Sequence, residues 1–447
     1  MGEDYEDRPG VRDNHKRRKL LPCVEGDRLS NLPESLVGLI LERLPIQDAV
    51  RTSILSKKWR YRWTTMTSLV LDKQFSRKYA NNGAYDHNGF IRIVNQVIIL
   101  HPRPITKITL HIPQMHLDSF QEIDQWMLFL SRNGIRVLVF TNSNRPYKLP
   151  SQLSSCSKLR KLKLENCIFA PPLKFEGFPN LESLSLTKID FRADSCGTLV
   201  NLPRLKRLTF FSCKNVHNFK INAQKLEYLF VVTYPDALLL FLRLFESPCL
   251  TRIVVRSLKP IRNFVRVEMM KLMELLSNLP KIRSFVINGH FLKLLSADNI
   301  PKWFSHAVNC LEHLSLRNIQ YNDLDQLRGA LCLLRNSPNL KRLSLKRTKP
   351  LVMHDDVEVA SDHLESPDCL DQTLNHLLNA ELKSIEGTRP EMLFIKLLLA
   401  HSPSLNKMTI QPSRTTDASR RLNIAKDVMR FPRASPKAEL IYLDLDP

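Results

Sequence analysis

Arginine and aromatic side chains recur over one stretch of this chain at spacings suited to recognition chemistry: Arg207, Phe211, Tyr228, Phe230, Arg252 and Arg256. Guanidinium groups pair bidentately with carboxylate or phosphate, and aromatic faces supply rigid apolar contact, so this set suits gripping an acidic or phosphorylated segment. The patterns of bond-making chemistry are missing: no G-x-x-x-x-G-K-[ST], no G-x-S-x-G, no H-E-x-x-H and no dinucleotide fingerprint occurs. The nine cysteines form no C-x-x-C pair and the histidines fall at no zinc-ligand spacing, which argues against a metal site or a disulfide framework. His111 and His313 fall at outward strand positions and read as surface groups.

The elements that must position those side chains are repeats. A template L-x-x-L-x-L appears as Leu159, Leu162, Leu164, then as Leu181, Leu184, Leu186, and as Leu205, Leu208, Phe210. It continues at Leu226, Leu250, Ile282, Leu311 and Leu340, with looser copies from Ile105 and Ile135 and a late one from Leu405. Units this short bury their apolar face only by stacking, so the period predicts a solenoid with one strand per repeat. Cys167 and Cys213 fall where such repeats favour Asn or Cys, which gives them a packing role. Pro179, Pro203, Pro248, Pro280 and Pro338 stand two residues before a template apolar and are read as marking strand starts.

Period-two alternation turns the template residues inward and their neighbours outward. Average composition would give the outward positions of the repeats up to Leu345 about 4 basic and about 3 acidic residues. They hold Lys107, Lys161, Lys163, Arg207, Arg252, Arg256, Arg317, Arg342 and Lys346 against Glu165 alone. The bias exceeds the overall charge of +22 and suits the expected concave face to target binding, the alternative being chance Lys and Arg on the strands of a generally basic chain.

Ahead of the repeats, Leu36, Ile40 and Leu44 recur four apart as on one helix face, with Pro33 at its start and Pro45 at its end. Val50 and Ile54 mark a second short helix, and Ser56 offers a cap for a third in which Trp59 and Trp63 share a face. Three such helices bury little of their own surface, so apolar groups should remain for a partner. Apolar content of 43% and charged content of 25% over 447 residues are those of a soluble globular chain. No export signal or lipid anchor is legible, and the densest apolar run, Ala237 to Phe245, is too short to span a bilayer, so no membrane partner is expected. Positive charge without a helix-turn-helix, zinc finger or ribonucleoprotein motif argues against nucleic acid as the partner. The tail run Lys16-Arg17-Arg18-Lys19 suits a nuclear signal or an ordinary basic tail, so nucleus and cytoplasm are both expected locations.

The segment Asp27-Arg28-Leu29-Ser30-Asn31-Leu32-Pro33, followed by Ile40-Leu41, Leu44-Pro45 and Leu55-Ser56-Lys57-Lys58-Trp59-Arg60, resembles a plant F-box. From about residue 370, Leu382-Lys383-Ser384-Ile385-Glu386-Gly387, Leu397-Leu398-Leu399 and Ser402-Pro403-Ser404-Leu405 resemble the FBD module of plant F-box/FBD/LRR-repeat proteins. The resemblance implies an α/β solenoid: a small three-helix F-box, a leucine-rich repeat horseshoe and a C-terminal FBD module that completes it. The expected boundaries are 1–26 basic tail, 27–72 F-box, 73–104 linker with a helix, 105–350 repeats, 351–369 acidic exposed loop and 370–447 FBD module. It also implies the function of a non-catalytic substrate receptor in an SCF-type ubiquitin ligase. Leu32, Pro33, Ile40, Leu44, Pro45, Val50, Ser56 and Trp59 would contact the Skp adaptor, and through it cullin, or hold the helices that do. The alternative is a scaffold that binds the adaptor without directing degradation. No cofactor is implied, with an inositol phosphate on the basic surface as a lesser alternative.

Overall fold

A computed structural model describes residues 32–81, 84–99, 101–115, 120–172, 174–192, 199–216, 220–234, 247–260, 281–295, 308–348, 357–370 and 373–443. The run Lys16–Lys19, the segment Asp27–Asn31, the run Ala237–Phe245, Pro280, Asp355 and Asp356 lie outside the described residues. The chain divides into two compact units, Met1–Met66 and Thr67–Pro447.

In the first unit, α1 (Glu34–Leu41) and α2 (Ile46–Arg51) each follow a proline at extended backbone angles. A proline there lacks only an N–H that a helix start does not use, and its carbonyl is free to accept the first helical bonds. Pro33 O accepts from Leu36 N at 3.0 Å and Val37 N at 3.1 Å, and Pro45 O accepts from Asp48 N at 2.9 Å and Ala49 N at 3.0 Å. Pro45 therefore opens the second helix as well as following the first. The third helix is not formed. Thr52–Ile54 and Arg62–Thr65 are short 3₁₀ turns, and Tyr61 between them takes a left-handed φ of 63°, which a right-handed helix cannot accommodate. Trp59 and Trp63 are nevertheless both buried, and with Val37, Leu41, Ile46, Ala49 and Met66 they make up the apolar interior of this unit.

The second unit is built on a 14-stranded parallel sheet whose spatial order is the chain order. Its strands are β1 (Ser68–Leu71), β2 (Lys107–Ile112), β3 (Val137–Asn142), β4 (Lys161–Glu165), β5 (Ser183–Thr187), β6 (Arg207–Phe211) and β7 (Tyr228–Thr233). They continue as β8 (Arg252–Ser257), β9 (Ser284–Asn288), β10 (His313–Ile319), β11 (Arg342–Arg347), β12 (Asn379–Ile385), β13 (Lys407–Pro412) and β14 (Glu439–Tyr442). Leu71 pairs with Leu110, Leu110 with Phe140 and Phe140 with Leu164, and the same row runs unbroken to Leu382, Ile410 and Tyr442. In β1 to β13 the template positions are buried and alternate with outward ones, as in β6, where Leu208 and Phe210 are buried and Arg207 is exposed, whereas the residues of β14 are half-buried or exposed. Each buried aliphatic side chain contributes about 1.5 to 3 kcal/mol.

Three of these strands are left through a residue other than glycine with positive φ, Asn166 at 57°, Lys188 at 51° and Ser212 at 53°, while Asn318 at 55° and Ser384 at 63° sit at register shifts inside β10 and β12. That conformation is costly for such residues, and sideways hydrogen bonds offset it. Asn166 N donates to Thr187 O at 2.9 Å, Lys188 N to Phe211 O at 2.8 Å and Ser212 N to Val232 O at 2.7 Å. The template prolines sit differently from the expectation. Pro179, Pro203, Pro248 and Pro338 occupy the second place of a turn that closes before the strand, as when Leu205 N donates to Leu202 O at 3.0 Å. Their fixed φ presets that turn, and the strands begin four residues later.

Two further expectations are corrected, and one repeat is added. Val357–Glu365, expected within an exposed acidic loop, is a helix (α8) because Ala360 and Leu364 form a buried stripe beneath its acids. His111 is buried: the helix α3 (Lys73–Arg77) brings Ser76 Oγ to 3.0 Å of Nδ1, and Ser143 Oγ lies 3.2 Å from Nε2. The repeat after Leu345 begins at Leu377, with Ala380 opposite Leu343, so Leu382 is its last template residue.

A buried ion cluster joins β11 to α9 (Arg389–Ala400). Arg347 Nη1 meets Glu386 Oε1 and Arg347 Nε meets Glu391 Oε1, each at 2.7 Å. The other Glu391 oxygen accepts the N–H groups of Glu386, Gly387 and Thr388 at 2.9, 2.8 and 3.1 Å. Burial pushes the Glu391 carboxyl upward, while Arg347 and these N–H groups pull it down. Removing one partner strands a buried charge, so Glu391→Ala should lower unfolding stability by about 3 to 5 kcal/mol in urea titrations. Burial holds the His111, His290 and His363 imidazoles below their ordinary value, with Lys73, Lys293 and Arg328 respectively adding to the shift. The unfolded chain takes up these protons near pH 6.5, the folded chain only lower, so this stability is complete above that value and is lost as the pH falls through it. Urea midpoints should therefore drop as the pH falls below about 6.5, and His111→Gln should flatten part of the drop.

Candidate protein-binding surfaces

The first unit leaves much of its apolar surface uncovered. On α1, Val37 and Leu41 face inward while Leu36, Leu39 and Ile40 form a second apolar face that is exposed. Ile54 is 86% exposed, and Leu55 and Tyr61 stand out beside the 3₁₀ turns. Apolar contact of this density on so small a unit is the composition of a docking surface. Of the residues expected to serve the adaptor, Pro33, Ile40 and Pro45 are exposed, Leu32, Leu44, Val50 and Ser56 are half-buried, and Trp59 is buried. Trp59 thus belongs to the residues that hold the unit together. Leu39, Ile54, Leu55 and Tyr61 were not among the expected contacts. The signal that could have found Leu39 is the Leu36, Leu39, Ile40 spacing, a second helical stripe offset from Val37 and Leu41.

Arg62 fixes the far end of this unit: its Nη1 meets Glu34 Oε1 at 2.9 Å and its Nε donates to Lys58 O at 2.9 Å.

On the outward face of the sheet, the six residues of the expected target patch fall on three adjacent strands. Arg207, Tyr228 and Arg252 lie in one cross-strand row, and Phe211, Val232 and Arg256 in another four residues along. Phe230 sits between them, opposite Thr209 and Val254, and the Arg256 guanidinium lies 5.7 Å from the Phe230 ring centroid. Arg207 and Arg252 are exposed, the other four half-buried. Farther along, Ser284, His313, Ser315, Arg342, Ser344, Asn379, Glu381, Lys407 and Thr409, with Leu314, Leu343 and Ala380, line an open depression of about 400 Å³. The scarcity of acids ends here: Glu381 binds Lys383 at 2.8 Å and accepts from Ser344 Oγ at 3.2 Å. His111 is the one expected outward histidine that the fold covers, while His313 is half-buried on this face.

Cys167 and Cys213 are buried, and the Cys213 thiol donates to Leu186 O at 3.4 Å. Burial pushes the Cys213 thiol up to about 11 and the Cys167 thiol higher still, away from nucleophilic use. Among the described residues no group of His, Cys, Asp and Glu is placed to hold a metal ion, and no helix is long and apolar enough to cross a membrane.

Comparison with known proteins places these surfaces in context. Residues 29–71 match the F-box domain, and residues 123–345 match the LRR repeats of the FBD-associated F-box protein At5g56370. The chain is 32% identical to the F-box/FBD/LRR-repeat protein At1g13570 of Arabidopsis thaliana, over 93% of this chain and 98% of that protein. It is 25% identical to the probable FBD-associated F-box protein At1g32375 of the same plant, over 93% of this chain and all of that protein. The F-box match ends at residue 71, whereas the compact first unit ends at Met66 and Ser68–Leu71 pairs into the sheet.

Burial decides what mutation of the first unit does. Trp59→Ala should cost about 3 to 5 kcal/mol and melt the unit, whereas Ile54→Asp should leave the circular-dichroism melting curve unchanged.

Proposed function

The chain belongs to the F-box/FBD/LRR-repeat protein family, and on that basis we propose that it is the substrate-recognition subunit of an SCF-type (Skp-cullin-F-box) ubiquitin ligase. F-box domains generally bind Skp adaptors, and the observation that carries the reading here is the uncovered apolar set Leu36, Leu39, Ile40, Ile54 and Leu55 on a unit too small to bury it. A few well-packed apolar side chains supply most of the energy of such an interface.

The target is held by the outward face of the sheet. This face is the inner lining of a leucine-rich repeat horseshoe, which the module from residue 370 onward completes; the continuation of the buried row through Leu382 and Ile410 to the half-buried Tyr442 supports that reading. The basic and aromatic set Arg207, Tyr228, Phe230, Arg252 and Arg256 suits an acidic or phosphorylated protein segment. Ubiquitin transfer is left to other subunits, and this chain contributes proximity by raising the effective concentration of the target's acceptor lysines.

Affinity capture under proteasome inhibition tests both halves. Leu32→Ala/Pro33→Ala and Ile40→Asp/Ile54→Asp forms should lose adaptor and cullin by at least about tenfold and keep their targets. A chain with Arg207, Arg252 and Arg256 changed to Glu should do the reverse. Retention of adaptor by both F-box variants would sink the ligase reading, and target levels indifferent to proteasome inhibition would favour a scaffold that binds the adaptor without directing degradation.

A further inference from the structure

At the ends of the strands, Arg256 on β8 and the buried Asn288 on β9 each follow the Val255–Ile287 pair, and from Asn288 the row runs to Arg317 on β10, Lys346 on β11 and Lys383 on β12. Lys383 has Glu381 at 2.8 Å, but Arg256, Arg317 and Lys346 have no carboxylate in ion-pair range among the described residues. Like charges stacked on neighbouring strands repel, so the row is incomplete without an anion. Arg256 is preset to receive one: it is held against the Phe230 ring and its Nε is buried without a hydrogen-bond acceptor. Burial and the nearby Arg317 both press the Arg256 guanidinium toward losing its charge, the opposite of what a counter-ion would do.

Asn288 does not compete for the space. Its Nδ2 donates to Ser257 O at 2.8 Å and its Oδ1 accepts from Ser257 N at 3.2 Å, which ties the amide to the backbone. Arg256 and Arg317 therefore stand two strand spacings apart, about 10 Å between backbones, a gap that two long side chains can close around a tetrahedral anion. Beside the row, Phe230, Val254 and Val286 lie in register on three adjacent strands as a half-buried apolar strip.

We propose that Arg256 and Arg317, with Lys346 alongside, form a phosphate-monoester subsite that reads a phosphoserine or phosphothreonine in the target, while the Phe230–Val254–Val286 strip seats a neighbouring aliphatic side chain. The inference rests on the outward face being the target surface and names what that face selects. A dianion with three acceptor oxygens satisfies two guanidinium forks at once, where a single carboxylate satisfies one.

The test uses the full chain bound to its adaptor and fluorescence anisotropy with three degenerate peptide pools, alike except for Ser, Asp or phosphoserine at the centre of an aliphatic segment. The phosphoserine pool should bind about tenfold tighter than the Asp pool at equal ionic strength. Arg256→Gln and Arg317→Gln, checked by thermal melting for intact folding, should each shrink that ratio to about twofold and spare the Asp pool. Equal binding of the two pools, an unchanged ratio in both variants, or no binding by any pool overturns the proposal. The underlying reading fails separately, when Arg207→Glu/Arg252→Glu leaves target capture from cells intact; if that variant abolishes capture while the two pools bind equally, only the phosphate assignment falls. Tight inositol hexakisphosphate binding to the same arginines without any phosphopeptide preference would assign the row to a free polyphosphate and overturn it as well.

Discussion

Everything in the second unit depends on one constraint, the parallel hydrogen-bond register that keeps equivalent residues of successive repeats side by side. A slip of one residue would turn Leu208 and Phe210 outward and Arg207 and Thr209 into the interior, at a cost no neighbouring interaction could offset. Because the register holds from β1 to β14, the buried members line up as one continuous apolar row and the outward members line up as well. The second alignment is a by-product of the first. It is what turns scattered arginines in the sequence into ordered rows on a surface, and what forces like charges into proximity on β8, β10 and β11.

The same constraint explains what the sequence disclosed. A strand with one face buried admits only apolar residues at alternate places, so the template at Leu159, Leu181, Leu205 and Leu226 was plain. It was hidden where an atypical residue held the place. Ala380 stands opposite Leu343, and Met66, Leu69 and Leu71 spell the template at a point where the F-box motif also claimed the residues. In the last strand Leu440 and Tyr442 hold template places, but Lys437 stands where the first apolar residue would be. The α8 helix was obscured because Glu358, Asp362 and Glu365 dominate its composition while only Ala360 and Leu364 record its buried side. His111 could not be placed from local pattern, since its cover, Ser76, lies 35 residues away in sequence.

For the candidate surfaces, type was legible and exposure was not. The leucine–proline pairs and the tryptophans announced a small apolar unit, yet only coordinates separate Trp59, which holds it together, from Ile54, which is nearly free of it. The alternation also put the six residues of the basic and aromatic patch on the outward face, but the seating of Arg256 against Phe230 depends on side chains from neighbouring strands converging, which periodicity does not encode. Buried polar ties such as Arg347 with Glu386 and Glu391 are likewise tertiary, because they join a strand end to a helix start across an intervening segment.

The division of each strand into inward and outward members separates heritable stability from heritable choice. Inward residues answer to the neighbouring strands and tolerate little change, whereas outward ones are held by weaker contacts such as Arg256 on Phe230 and Glu381 with Lys383. Substitutions on the outer rows can therefore change the surface chemistry one strand at a time while the architecture drifts scarcely at all. Rigidity and evolvability reside in different atoms of the same strand.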